Sequence, residues 1–207
     1  DFPETGVYTV QVALDMAGNV SAVKSVSYYL DQTGPAGTVT TTPQAGTWTE
    51  ADPVVNFTNV ADANAGMDPS TVRYSIVAQG QPAGAFQNVS GLTLTAQTSP
   101  YAGSFQLAPA DRDQADGKYT IYVRFQDKLG NTSTRTLAYY KDKDKPQGSL
   151  SFSKAADSLS DTVQITASMS DGAGSGIKNS TLRIKNSAGG VVETVYSNFT
   201  TDSVTRA

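Results

Sequence analysis

A chain of 207 residues with a formal net charge of −4 and only 16% charged residues carries no basic cluster able to neutralise phosphates, so a nucleic-acid partner is not expected. Histidine and cysteine are both absent, which excludes Ser-His-Asp catalysis, His- or thiolate-bound zinc, Cys nucleophiles and disulfides. No apolar run approaches the roughly 18 residues that a membrane-spanning helix needs.

The chain opens on Gly6-Val-Tyr8-Thr-Val-Gln-Val12, where Tyr8, Val10, Val12 and Leu14 alternate with other residues in the period-2 pattern of a strand with one buried face. A turn at Gly18-Asn19 and a second strand reaching Tyr28-Tyr29 complete a hairpin. Six more strands are predicted: 37–42, 54–60, 71–77, 86–89, 92–95 and 104–107. Gly, Pro, Asp and Asn punctuate them every ten residues or so. The clearest strand is Lys118–Asp127, with Tyr119, Ile121, Val123 and Phe125 on the inner face and Thr120, Arg124 and Gln126 on the outer. It turns at Gly130-Asn131 and runs back to Tyr139-Tyr140. Tyr8 and Tyr119, each two residues after a Gly at the head of its strand, are placed for a phenol that bonds back to upstream backbone, the tyrosine corner of β-sandwiches. No segment has helical periodicity over three turns.

These segments repeat. Gly6-x-Tyr8-Thr-Val-x-Val12 returns as Gly117-x-Tyr119-Thr-Ile-x-Val123, and Pro35 returns as Pro146. Asp62-x₃-Gly66-Met67-x₂-Ser70-Thr71 returns as Asp171-x₄-Gly176-Ile177-x₂-Ser180-Thr181. Units near 110 residues are large enough to hold a core of their own, so the repeat implies like modules in a row. Seven or eight short strands per unit predict an all-β chain of tandem immunoglobulin-like β-sandwich domains. The expected boundaries are a closing hairpin over 1–32, a complete domain over 33–145, and the first part of a further domain over 146–207. Asp1 falls inside a repeat, so the chain is expected to be a stretch of a longer array. The linkers Leu30–Pro35 and Lys141–Pro146 are proline-stiffened.

The pattern G-x-Y-T-V-x-V-x-x-x-D-x-A-G-N-x-S, followed by Y-x-x-D-x-T-x-P and D-x-x-x-G-[MI]-x-x-S-T, resembles the tandem Ig-like repeats of large bacterial surface proteins of adhesin or stalk type. The resemblance covers essentially the whole chain. It implies a non-catalytic, extracellular structural or interaction region, secreted or attached to the cell surface, whose partners are its neighbouring domains and, beyond them, glycan or a surface protein. It leaves open accessory modules of a secreted hydrolase, and a fibre subunit in which ends complement each other head to tail.

Two candidate sites follow from residue chemistry. With no soft donors present, the only metal chemistry is oxygen-ligated, hence calcium. The candidate ligands are Asp31, Asp142 and Asp144 at the junctions; Asp15, Asp62, Asp127 and Asp171 lie in turns, some within reach of a neighbouring junction. The bland reading is that these acids form turns. Trp48, the only tryptophan, sits beside a predicted loop and is the candidate ligand-stacking residue, against the commoner buried role. Pro100-Tyr101-Ala-Gly-Ser reads as a turn or contact loop, and Asp111, Asp113 and Asp116 lie on a solvated loop without aromatic neighbours.

Overall fold

The computed structural model describes residues 4–12, 17, 22, 24–155, 162–197 and 203–206; Leu14, Asp15 and the Gly18-Asn19 turn lie outside them. The fold is all-β. The described chain divides into two compact units: 1–46, 52–113 and 119–139 form the first, and 47–51, 114–118 and 140–207 the second.

In the first unit, β1 (Gly6–Val12) and β2 (Lys24–Leu30) form an antiparallel hairpin, with Tyr8 opposite Tyr28 and Val10 opposite Val26. The Tyr8 phenol donates to the Glu4 carbonyl at 2.7 Å, the upstream backbone bond its position predicts. β3 (Ala36–Thr42) follows, then β4 (Trp48–Thr49), β5 (Val54–Ala61), β6 (Arg73–Ala78), β7 (Gln87–Asn88), β8 (Thr93–Ala96), β9 (Tyr101–Gln106), β10 (Gly117–Gln126) and β11 (Thr132–Lys141). One sheet runs β3-β5-β9-β8 and the facing sheet runs β11-β10-β6-β7. The short β4 and the end of β11 from Tyr140 onward belong to the second unit, where they pair in parallel, Trp48 opposite Tyr140.

The core lies between the sheets. Val55, Phe57, Val60 and Phe105 come from one side; Tyr74, Ile121, Val123 and Phe125 come from the other, and all are at most 2% exposed. Phe57 and Phe125 meet edge to face, with ring centroids 5.6 Å apart. The period-2 reading of β10 has the correct phase, since Ile121, Val123 and Phe125 are fully buried and Tyr119 is half-buried against Tyr139. Its outer face departs from expectation: Thr120, Arg124 and Gln126 are half-buried rather than exposed. The Arg124 guanidinium lies over the Phe86 ring, 4.3 Å from its centroid.

In β5 the inward set changes parity between Phe57 and Val60. A register shift there, with Asn59 at a φ of 54°, inserts the extra residue that turns Val60 inward. Two further departures are local. Tyr101–Ser104 is strand rather than turn, because its backbone pairs with β5 and β8. Pro109–Arg112 forms one short helical turn, α1.

In the second unit, β12 (Gln147–Phe152) pairs antiparallel with β13 (Ile165–Ser170), which pairs with β16 (Ser203–Arg206). Between them β14 (Thr181–Lys185) and β15 (Val191–Ser197) form a separate hairpin.

Candidate metal centre

Three aspartates follow directly on strands that end at the same pole of the first unit. Asp31 follows β2, Asp62 follows β5 and Asp127 follows β10. One carboxylate oxygen from each lies within 4.8 Å of the others; Asp31 and Asp127 are buried and Asp62 is half-buried. Two oxygens on opposite sides of a calcium ion at ligand distances near 2.4 Å stand about 4.8 Å apart, so the spacing fits one coordination sphere.

Each carboxylate first organises its own turn. Asp31 Oδ1 accepts from the Thr33 N–H at 3.1 Å and the Thr33 hydroxyl at 2.9 Å, while Oδ2 accepts from the Ala65 N–H at 2.9 Å. Asp62 Oδ1 accepts from the backbone N–H groups of Asn64, Ala65 and Gly66 at 3.0, 2.8 and 3.1 Å. Asp127 Oδ1 accepts from Leu129 N–H and Asn131 N–H, and Oδ2 accepts from the Asn131 amide at 2.7 Å. The same Asn131 amide donates to the Asp31 carbonyl at 3.0 Å, tying linker to turn. Lys128 N–H donates to Gly66 carbonyl, and Met67 bridges to Asp127, so the two turns are fixed to each other.

The electrostatic consequence is a concentration of negative charge. The Thr33 N–H bond is the largest influence on Asp31 and, against the opposing effect of burial, holds its carboxyl below the ordinary carboxylate range. Carboxylates this close repel one another. The backbone N–H donors offset part of this; a hard divalent cation is the species that would offset the rest while adding no soft-ligand requirement.

The repeat reproduces half of this arrangement in the second unit. Asp142, the counterpart of Asp31, accepts from Ser175 N–H at 2.9 Å, and Asp171, the counterpart of Asp62, accepts from Gly176 N–H at 2.7 Å. A Cβ on Gly174 would stand 2.8 Å from Asp142 Oδ1 and 2.7 Å from Asp171 Oδ2, so both carboxylates close on this glycine and a side chain there would have to displace them. Asp144 is placed elsewhere. Its N–H and that of Lys143 donate to the Asp116 carboxylate at 2.8 and 2.9 Å, and its side chain lines a 590 Å³ groove with Asp116 and Asp171. Burial acts to raise the Asp116 carboxyl, but the Lys143 and Asp144 N–H bonds outweigh it and leave the group below its usual range.

Of the junction acids singled out in the sequence, Asp31 thus joins a three-carboxylate cluster and Asp142 joins Asp171. Asp62 and Asp127 complete the first cluster; the sequence places them among turn acids of which some can reach a junction, but nothing local reveals that three strand ends share one pole.

Trp48 is half-buried rather than on an open loop. Its ring packs against Tyr140 with centroids 5.5 Å apart, and the Lys118 ammonium lies 5.8 Å from the Trp48 centroid and 5.1 Å from that of Tyr140. Asp111 likewise has a structural partner set: it accepts from the Tyr74 phenol at 2.7 Å and from the Gln87 amide at 2.6 Å. No helix among the described residues is long and apolar enough to cross a membrane. No protein-family model matches the chain, and neither does any curated protein or solved structure.

Proposed function

We propose that this chain is a stretch of tandem immunoglobulin-like modules from an extracellular protein, secreted or attached to a cell surface, whose task is mechanical: to project or link other parts without chemistry of its own. The observation that carries this reading is the strand order. β3-β5-β9-β8 facing β11-β10-β6-β7 is the order A-B-E-D facing G-F-C-C′ of immunoglobulin-like sandwiches. The long antiparallel ladders of β3–β5 and β5–β9 are the elements that would resist extension. In this reading the Asp31-Asp62-Asp127 cluster takes calcium and fixes the point where β2 hands over to β3, so that successive modules keep their angle under load.

The test is melting of the whole chain with calcium and then with chelator, alongside titration calorimetry. A calcium concentration one hundred times the dissociation constant should stabilise the first unit by about 2.7 kcal/mol. Asp62→Asn should remove most of that gain. An unchanged midpoint together with no binding heat leaves the carboxylates as turn formers only and removes calcium from the proposal. Extension of the chain by force spectroscopy tests the mechanical reading separately: unfolding of the first unit at forces no higher than those of a helical bundle would count against it.

A further inference from the structure

β8 is shorter than the strand it pairs with. It starts at Thr93, opposite Ser104, while β9 runs on to Gln106, opposite Val54 of β5. Phe105 is buried in the core, so Ser104 and Gln106 point to the outer face of the sheet, together with their partners Thr93 and Val54. Where β8 has not yet begun, a step is left on that face. Ser90-Gly91 and the α1 residues Pro109 and Arg112 complete the lining of an open groove of 450 Å³ there. Every lining residue belongs to the first unit, and the volume falls in the range of small-ligand sites, about 300–1,000 Å³.

The lining offers hydrogen-bonding groups that the chain itself does not use. The hydroxyls of Ser90, Thr93 and Ser104 and the Gln106 amide have no protein partner among the described residues. Each hydroxyl both donates and accepts, and the amide does the same through separate atoms. Arg112 adds N–H donors. Its Nη1 donates to Asp52 at 3.0 Å, yet its Nε is shielded from solvent and has no acceptor. A buried guanidinium donor without a partner is unfavourable, so a side chain held in this position by an acid from another segment calls for a cause outside the core. The Arg112 side chain is 25% exposed, and its remaining N–H groups are those that an outside oxygen can meet.

Charge selects the class of ligand. Arg112 is matched by Asp52, and Asp111 beside it is already engaged by Tyr74 and Gln87. No other charged side chain lines the groove among the described residues. An anion would meet a cation already neutralised, and a cation would meet no acid in the lining. Phe105 and Leu107 reach the floor but are 2% exposed, so a peptide side chain finds no apolar subsite. Closely spaced neutral hydroxyls suit a lining that mixes donors with acceptors, and Val54 and Pro109 present small apolar surfaces to the C–H faces of a ring.

We propose that this groove binds a neutral saccharide, with Arg112 and Gln106 donating to ring hydroxyls and Ser90, Thr93 and Ser104 exchanging hydrogen bonds with them. The site lies at the start of β5, whereas Asp62 of the acidic cluster follows its end. It goes beyond the mechanical reading and uses neither the calcium cluster nor the second unit.

Titration of the whole nitrogen-15-labelled chain by NMR, in chelator, with maltotriose, cellotriose, mannotriose and N-acetylchitotriose at millimolar concentrations tests it. At least one of these sugars should move the amides of residues 90–93 and 104–107 saturably, and added salt should leave the affinity unchanged because no net charge is paired. Thr93→Ala with Gln106→Ala should weaken binding roughly tenfold, the effect of losing one or two hydrogen bonds. Both side chains are exposed, so melting of the first unit should not move. Three outcomes overturn the proposal: no saturable shift at these amides with any of the sugars, undiminished binding by the double variant, or tighter binding of trigalacturonate or tetra-alanine, which would assign the groove to an acidic saccharide or to an extended peptide. Calcium melts and force spectroscopy read none of these amides, so their failure and this one are told apart.

Discussion

Tyr74 shows how one side chain fixes a loop that sequence leaves unconstrained. It is 1% exposed, its phenol accepts from the Ala108 N–H at 2.8 Å, and it donates to Asp111, pinning the segment before β10 to the core. Burial first, and the Asp111 bond second, push its ionisation up to about 12. A folded-state value above the unfolded one, near 10, means the neutral phenol's contribution is complete below pH 10 and is lost as pH rises through about 10 to 12. Melting of the first unit should therefore fall steeply over that interval, and Tyr74→Phe should flatten the fall while costing about 1–2 kcal/mol at pH 7 from the unpaired Ala108 N–H. Asp31 has the opposite sign. Its carboxyl is held below the unfolded value near 3.9, so its stabilisation is present above that pH and fades as pH falls below about 4. Asp31→Asn should reduce the acid sensitivity of the first unit between pH 4 and 2; an unaltered acid limb would show that its Thr33 and Ala65 bonds contribute nothing. Gly34 is required by space. A Cβ there would stand 2.7 Å from the Thr132 carbonyl oxygen and 2.8 Å from the Ser133 nitrogen, both backbone atoms. Gly34→Ala should cost about 1–3 kcal/mol by chemical denaturation, since either the linker or the backbone of β11 would have to move.

At the scale of elements, the sequence was readable wherever one face alone decides burial. β10 alternates because its inner residues meet β5 and its outer ones do not, so Ile121, Val123 and Phe125 announce their own burial. Ile121→Asp should leave the first unit unfolded under ordinary conditions, because a buried charge there has no partner. A cooperative melt within about 1 kcal/mol of the parent would mean the core is not where the alternation puts it. Reading stopped where burial depends on a third element. The half-burial of Arg124 comes from Phe86, distant in sequence, and the parity change from Phe57 to Val60 depends on a bulge at Asn59 that polar residues do not advertise. Tyr101 follows a Ser-Pro step that favours a turn, yet its backbone is captured by β5. The metal candidate divides in the same way. Asp31 was visible as a junction acid, but Asp62 and Asp127 are identical locally to any turn aspartate; only the register that brings β2, β5 and β10 to one pole makes them neighbours of Asp31.

For the molecule as a whole, the distribution of buried surface separates the two units more sharply than their strand counts do. The first holds thirteen of the fourteen buried hydrophobic side chains among the described residues; the second holds Ala167 alone. Strand pairs without a packed face are marginal in water, so β12–β16 should open far more often than β3–β11. Hydrogen exchange at low chain concentration should therefore show fast exchange across β12, β13 and β14 while Val55, Phe57, Ile121 and Val123 stay protected. Equal protection in both units would show that the second unit holds a packed face of its own.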